Sequence, residues 1–198
     1  MTGPIVGLDI ETGGIEATRP IIQIAAVAVR GGKEVETLER KIRFRVEDAD
    51  PEALRLNHYS AEAWANAVPE AQAMRDLAAL LDRHRSVHLV SKRTGKPYTV
   101  ARVLAHNASF DLDRVAAAFK RHGLFFAIDF RSALDTRYGA VWFFEAHPHE
   151  RQPTDFKLKT LAECFGIPTE GAHDALVDVR LSIALARRLL ERWQGSAA

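Results

Sequence analysis

The chain is short of the residues that would make several protein classes plausible. It has a single cysteine, Cys164, among 198 residues, so neither a disulfide framework nor a Cys-rich zinc site can be built from it. No apolar run approaches the roughly 20 residues that cross a bilayer. The longest, Ile21 to Val29, is interrupted by Gln23. The opening MTGPIVGLDIETGG lacks a basic leader and reaches Asp9 almost at once, so no signal peptide is expected and the chain reads as cytoplasmic. Internal repeats, low-complexity tracts and domain linkers are also missing. Against these absences stand 47% hydrophobic residues, enough for a real core, and a length suited to one domain over 1–198.

Charge is nearly balanced, with 27 basic and 26 acidic side chains, but unevenly placed. Six of the basic residues (Arg83, Arg85, Lys92, Arg93, Lys96 and Arg102) lie between Arg83 and Phe110, where there is no acid. Thr94-Gly95-Lys96-Pro97 reads as a turn between VHLV and YTVARVLA, so a basic β-hairpin is expected around 86–102. Such a stretch suits a polyanion-binding surface and equally a solvated hairpin tip.

Hydrophobic patterning predicts strands over Ile5–Ile10, Ile21–Val29 and Val35–Val46, with Gly31-Gly32 as a hairpin turn. Asp50-Pro51 starts short helical pieces, Asp50 capping, and a helix is predicted from about Pro69 to His84. Val100–Ala105 returns to strand, and Ser109 reads as the cap of a helix through about His122. Phe125–Phe130 reads as strand, Ala133–Glu145 as ambiguous with helical character, and His147–Pro153 as loop. Helices over Lys157–Phe165 and Ala175–Trp193 complete an α/β pattern, a mixed sheet flanked by helices. Cys164 reads as a small core residue, and Trp142 and Trp193 as packing anchors.

Three segments carry chemistry. In LDIETG, Asp9 and Glu11 are two apart on a strand and share a face. Two like charges 4 Å apart at an effective dielectric near 20 repel by roughly 4 kcal/mol, and a divalent cation reverses the sign. The pair alone also fits a turn cap beside a solvated acid. In HNASFD, Asp111 falls in a first helical turn, where the helix dipole favours a carboxylate in any protein. In HDALVD, His173 and Asp178 are five apart, about 140° on one helix. Serving one site therefore requires His173 on the loop and Asp178 in the helix, with Asp174 as cap. Together the four acids suit Mg²⁺ or Mn²⁺, and two such ions roughly 3.5–4 Å apart clamp both oxygens of a phosphodiester displacement. An imidazole titrating near neutrality can take the proton of an attacking water.

LDIETGG, HNASFD and HDALVD, in that order, resemble the three motifs of the DEDDh 3′–5′ exonucleases, the DnaQ-like group with a ribonuclease H-like fold. LKTLAECFGI is similar to that family's segment ahead of the last motif. The resemblance implies a five-stranded mixed sheet, three antiparallel strands and then parallel ones, flanked by helices. It implies that Asp9, Glu11 and Asp178 hold the metal bearing the nucleophilic water, that Asp9 bridges to a second metal supported by Asp111, and that His173 is the general base. Thr12 is expected at the terminal 3′ hydroxyl, Phe110 at the last bases, and Asn107 and His58 among the other substrate contacts. Asp129 and Asp135 compete for the family's Asp-Thr position and are read as structural. The implied activity is release of nucleoside 5′-monophosphates from single-stranded DNA or RNA 3′ ends, with DNA favoured and two divalent cations as cofactors. No polymerase-binding extension or sliding-clamp peptide is recognisable, which favours a free-standing nuclease over a proofreading subunit or an RNA 3′-end trimmer. A catalytically silent nucleic-acid-binding module would be expected to have lost carboxylates. The Trp142-Phe143-Phe144 run fits a homodimer interface as well as a core.

Overall fold

The computed structural model describes residues 3–195; the two ends of the expected 1–198 domain, residues 1–2 and 196–198, lie outside the described residues. The sheet begins with β1 (Ile5–Thr12), β2 (Ile21–Arg30) and β3 (Lys33–Lys41). These three pair antiparallel, and Gly31 and Gly32 supply the two positive φ angles (56° and 78°) that a two-residue hairpin turn demands. Every residue of β2 except Arg30 is buried, because helices cover both faces of the strand.

A helical turn at Pro51–Leu56 (α1) and the helix Glu70–Arg83 (α2) lead to a separate hairpin, β4 (Arg85–Val90) with β5 (Pro97–Ala101). The chain then re-enters the main sheet as β6 (Val103–Ala105), parallel to β1, and runs into α3 (Ala108–Arg121). A two-residue strand, β7 (Leu134–Asp135), is parallel to β6 and precedes α4 (Thr136–Ala146), α5 (Leu158–Cys164) and α6 (Ala175–Gly195). The order β3-β2-β1-β6-β7, three antiparallel strands and then parallel ones, is the expected mixed sheet. Even-numbered residues of β1 (Val6, Leu8, Ile10) pack under α2 and α3 with Leu77, Leu112 and Phe119. On the other face Ile5 meets Val179 and Ile183 of α6. Among the described residues no helix is long and apolar enough to cross a membrane.

Several expectations are corrected. Phe125–Phe130 is not a strand: only Ile128 bridges to Ala101, and a 3-10 turn follows at Phe130–Ser132. The fifth strand is β7, inside the segment read as ambiguous, and too short for any periodicity to register. The third strand stops at Lys41, where Ile42 bridges instead to Val68, and Val46 opens a 3-10 turn. Val100–Ala105 is split at Arg102 between two sheets.

Ser109 does not cap α3. That role falls to the Asp135 carboxylate, which accepts from the Asn107 and Ala108 amides (3.1 and 2.8 Å) and also from Arg137 and Tyr138 at the start of α4. One side chain therefore caps two helices, and Asp129 likewise caps its own turn through the Arg131 amide. Asp50 precedes α1 without a capping bond, and its carboxylate pairs with Arg19 at 2.5 Å.

Cys164 is exposed rather than a core residue, standing at the last residue of α5 off the buried Leu161–Ala162 stripe. Trp142 is no packing anchor either, at 70% exposed. It points about 150° away from the Ala140, Phe143 and Phe144 stripe of α4. Phe143 and Phe144 are core, and Trp193, partly exposed, lies against Phe143 and His147.

Candidate active site

On β1 the residues Gly7, Asp9 and Glu11 share the face turned toward α6. Gly7 has no side chain for a steric reason: a Cβ there would stand 2.8 Å from Ile183 Cδ1 and 2.9 Å from Val179 Cγ1. The helix can thus lie close on the strand, and Asp178, one residue before Val179, is brought over the two strand carboxylates. Oxygen atoms of Asp9, Glu11 and Asp178 all lie within 4.8 Å of one another.

The start of α6 is held by a residue that motif reading passed over. Gln23, paired across the sheet with Glu11 and only 1% exposed, donates from Nε2 to Glu39 Oε1 and Asp174 Oδ2, both at 3.0 Å. Asp174 in turn caps α6, accepting from the Leu176 and Val177 amides. The amide of Gln23 therefore pins the cap of α6 to the sheet beside Glu11. The signal for it was present, an uncharged polar side chain inside an otherwise apolar strand.

Asp111 enters from the opposite helix layer. It is buried in the first turn of α3, and its Oδ1 accepts the Ile10 backbone N–H at 3.1 Å, which ties α3 to β1 between the two strand carboxylates. It stands outside the 4.8 Å group formed by the other three acids, yet close enough that its charge opposes ionisation of Asp9 and Glu11.

The electrostatics follow from this crowding. Burial, and then repulsion from Asp111, Glu11, Asp178 and Asp174, raises Asp9 well above the usual carboxylate range. Burial first, and then the charges of Asp178, Asp111 and Asp174, push Glu11 up to about 8. Burial raises Asp111 to about 8 against the opposing pull of the Ile10 amide. Asp178 is raised by burial too, less so because the His173 amide and ring favour its charge. The set gains from any multivalent cation that stabilises the ionised forms.

The donor chemistry fits such an ion. The oxygens that could hold it are all carboxylate oxygens, the choice of hard divalent cations, and Asp178 Oδ1 is buried with no hydrogen-bond partner. A buried carboxylate oxygen left unpaired costs free energy that a metal bond would recover.

His173 stands on the loop ahead of α6 in a left-handed conformation (φ 71°), exposed, its N–H 3.4 Å from Asp178 Oδ2. This is the loop-and-helix division that the five-residue spacing demanded. Thr12 is buried, its hydroxyl donating to the Gly14 carbonyl at 2.7 Å, and Asn57 Nδ2 donates to the Thr12 carbonyl. Phe110 is half-buried with the Arg114 guanidinium 3.6 Å over its ring; Arg114 also reaches the carbonyls of Phe110 and Ile15. Asn107, left-handed at φ 60°, accepts from Arg137 through Oδ1. His58 is exposed and has a positive φ of 51°, and among the described residues no side-chain bond ties it to the carboxylates. His106, first residue of the second motif, is structural: its ring joins the Thr136 hydroxyl to the Phe156 carbonyl, and burial lowers its pKa.

The role of Gly7 is open to a direct check. Gly7→Ala is expected to lower stability by about 1–3 kcal/mol through overpacking and to reduce the stabilisation gained from added Mn²⁺, since α6 carries Asp178. Urea unfolding with and without Mn²⁺ measures both; wild-type values for each would remove Gly7 from the account.

No protein-family model matches the chain, and no curated protein matches its sequence. Solved structures do. Exonuclease I from Methylocaldum szegediense superposes with a TM-score of 0.73 at 19% identity, over 96% of this chain and 41% of that one. E. coli exonuclease I in complex with a dT13 oligonucleotide gives 0.71 at 21% identity, over 99% and 42%. The zinc-ion-bound form of the E. coli exonuclease I complex with single-stranded DNA gives 0.72 at 20%, over 97% and 41%. The likeness is one of fold, and the chain spans about two fifths of the length of these structures.

Proposed function

We propose that the chain is a divalent-metal-dependent 3′–5′ exonuclease acting on single-stranded nucleic acid, DNA favoured, and releasing nucleoside 5′-monophosphates. The observation that carries this reading is the gathering of Asp9, Glu11 and Asp178 within 4.8 Å, with one buried carboxylate oxygen unpaired. The shared fold with exonuclease I structures, two of them bound to single-stranded DNA, supports it.

Asp9, Glu11 and Asp178 would hold one divalent ion, and Asp9 with Asp111 a second; when bound, such ions neutralise phosphate charge and acidify water. His173 accepts the proton of the attacking water on its unprotonated ring nitrogen. The water oxygen bonds to phosphorus, the bond to the 3′ oxygen breaks, and that oxygen takes a proton from solvent. The exposed loop position lets the imidazole meet the substrate face without displacing Asp178. The Phe110 ring, backed by Arg114, offers an apolar face to a terminal base, and the Thr12 turn, braced by Asn57, borders the 3′ end. Asn107 and His58 complete the proposed substrate contacts.

The test is incubation of 5′-labelled single-stranded DNA and RNA with Mg²⁺ or Mn²⁺. Stepwise shortening from the 3′ end, mononucleotide products and arrest by chelator are expected. Internal cleavage that releases oligonucleotides from the 3′ side, or cleavage that survives chelation, would overturn the reading; the ratio of DNA to RNA rates sets the preference.

A further inference from the structure

The basic hairpin lies far from the carboxylates. Ser86 on β4 donates to the Pro4 carbonyl at 3.1 Å, and the Arg102 carbonyl after β5 accepts the Val6 N–H. The hairpin thus leaves the sheet where β1 begins, whereas Asp9 and Glu11 stand where it ends. Seven residues of strand, about 23 Å, separate Pro4 from Glu11.

Between this hairpin and the segment after α3 runs an open groove of about 710 Å³. Lys92, Arg93, Lys96 and Arg131 line it, and among the described residues none of the four makes an ion pair. Asp129 is the lone acid of the lining, and its carboxylate is engaged by the Arg131 amide. Three aromatic rings share the groove at high exposure: Tyr98 at 38%, Phe125 at 63% and Phe130 at 48%. Elsewhere among the described residues ten arginines are matched with acids, as Arg83 with Glu36, Arg121 with Glu70 and Arg180 with Glu34. Unmatched cations interleaved with open rings combine phosphate attraction with base stacking, the two means by which single strands are held without sequence preference.

We infer that this groove is a second binding site for single-stranded nucleic acid, holding the strand remote from the 3′ end under reaction. The inference rests on the proposed nuclease reading for its choice of occupant. Substrates too short to span the molecule bypass it, and long ones engage it.

Equilibrium binding in chelator, where no cleavage occurs, tests the idea with oligonucleotides of about 4 and of more than about 16 nucleotides, against salt. Each single-strand phosphate contact contributes about 0.7 to the slope of log K against log salt. The combined variant Lys92→Ala, Arg93→Ala, Lys96→Ala and Arg131→Ala is therefore expected to lose about 3 from the slope for the long strand. Between 50 and 200 mM salt the wild type then loses roughly 50-fold more affinity than the variant. Little of that difference is expected for the short strand.

Phe125→Ala with Tyr98→Ala is expected to weaken long-strand binding roughly 5-fold or more with the slope unchanged, as loss of stacking requires. An unchanged slope in the four-site variant, or equal losses for both lengths, would overturn the inference. So would binding of poly-glutamate as tight as that of the long strand and equally sensitive to the aromatic pair, since the groove would then serve an acidic protein. Failure of the nuclease reading shows itself separately, as absence of metal-dependent cleavage of either length.

Discussion

Asp9→Asn is expected to lower the metal-dependent cleavage rate by at least about 1,000-fold and, in the same protein, to raise the melting temperature of the metal-free form. The first effect follows from the place of Asp9, whose oxygen is grouped with those of Glu11 and Asp178 and whose ionisation is also opposed by the charge of Asp111. In the proposed site Asp9 would be shared by both ions, and a neutral amide there would lose charge stabilisation of the transferring phosphate. The second effect has the opposite sign because Asp9 is held among four other acids at a half-buried position. Asparagine keeps the shape and removes the cost of placing an ionisable carboxylate, whose charged form burial and its acidic neighbours disfavour, in the folded site. Single-turnover cleavage and thermal unfolding in chelator measure the two together. A variant that is inactive and less stable would indicate a damaged fold, and one that is still active would place the chemistry elsewhere.

The metal-free protein is expected to lose stability as pH rises from about 4.5 to about 8, and divalent metal to restore it. Glu11 and Asp111 are both pushed up to about 8, by burial first. Between their ordinary values and 8 the folded protein holds protons that the unfolded chain has released. Stability therefore falls with pH across that window. The contribution is fully present below about pH 4 and gone above about 8. Glu36 acts in another window: the Arg83 guanidinium, with His84, lowers it to about 2, so its contribution is lost as pH falls below 4.5. The metal-free stability curve should then peak on the acid side, near the ordinary carboxylate range. Metal at 100 times its dissociation constant adds about 2.7 kcal/mol, and binds better as the carboxylates ionise at higher pH. Denaturant midpoints from pH 4 to 9, in chelator and in Mg²⁺ or Mn²⁺, supply the check. A flat chelated profile with no metal shift would remove the buried-acid account.

Much of the site was legible because its chemistry is carried by residue type and spacing. Asp9 and Glu11 had to share a strand face, and His173 and Asp178 could serve one place only if a loop met a helix between them; both conditions hold. What escaped were residues that act through other residues. Gln23 is an interruption in an apolar run until its amide is seen joining Asp174 to Glu39. Asp135 is one of two plausible acids until it is seen capping two helices at once. The fifth strand was misplaced because two residues, Leu134 and Asp135, carry no period, while the more apolar Phe125–Phe130 reads as strand on composition alone.

The order of residues along the chain was enough to set the α/β class with a mixed sheet and to single out the acids, because alternation, helical spacing and motif chemistry are local properties; the three antiparallel strands followed by parallel ones were implied by the resemblance of the motifs. Which acids converge was settled by long-range packing. Gly7 lets α6 approach β1 and so delivers Asp178 to Asp9 and Glu11, while the Ile10 amide draws in Asp111 from the opposite layer. Burial, which raises the pKa values of these acids, exists only after residues more than 100 positions apart have been brought together. Desolvation and close approach are properties of the assembled layers, and no stretch of sequence contains them.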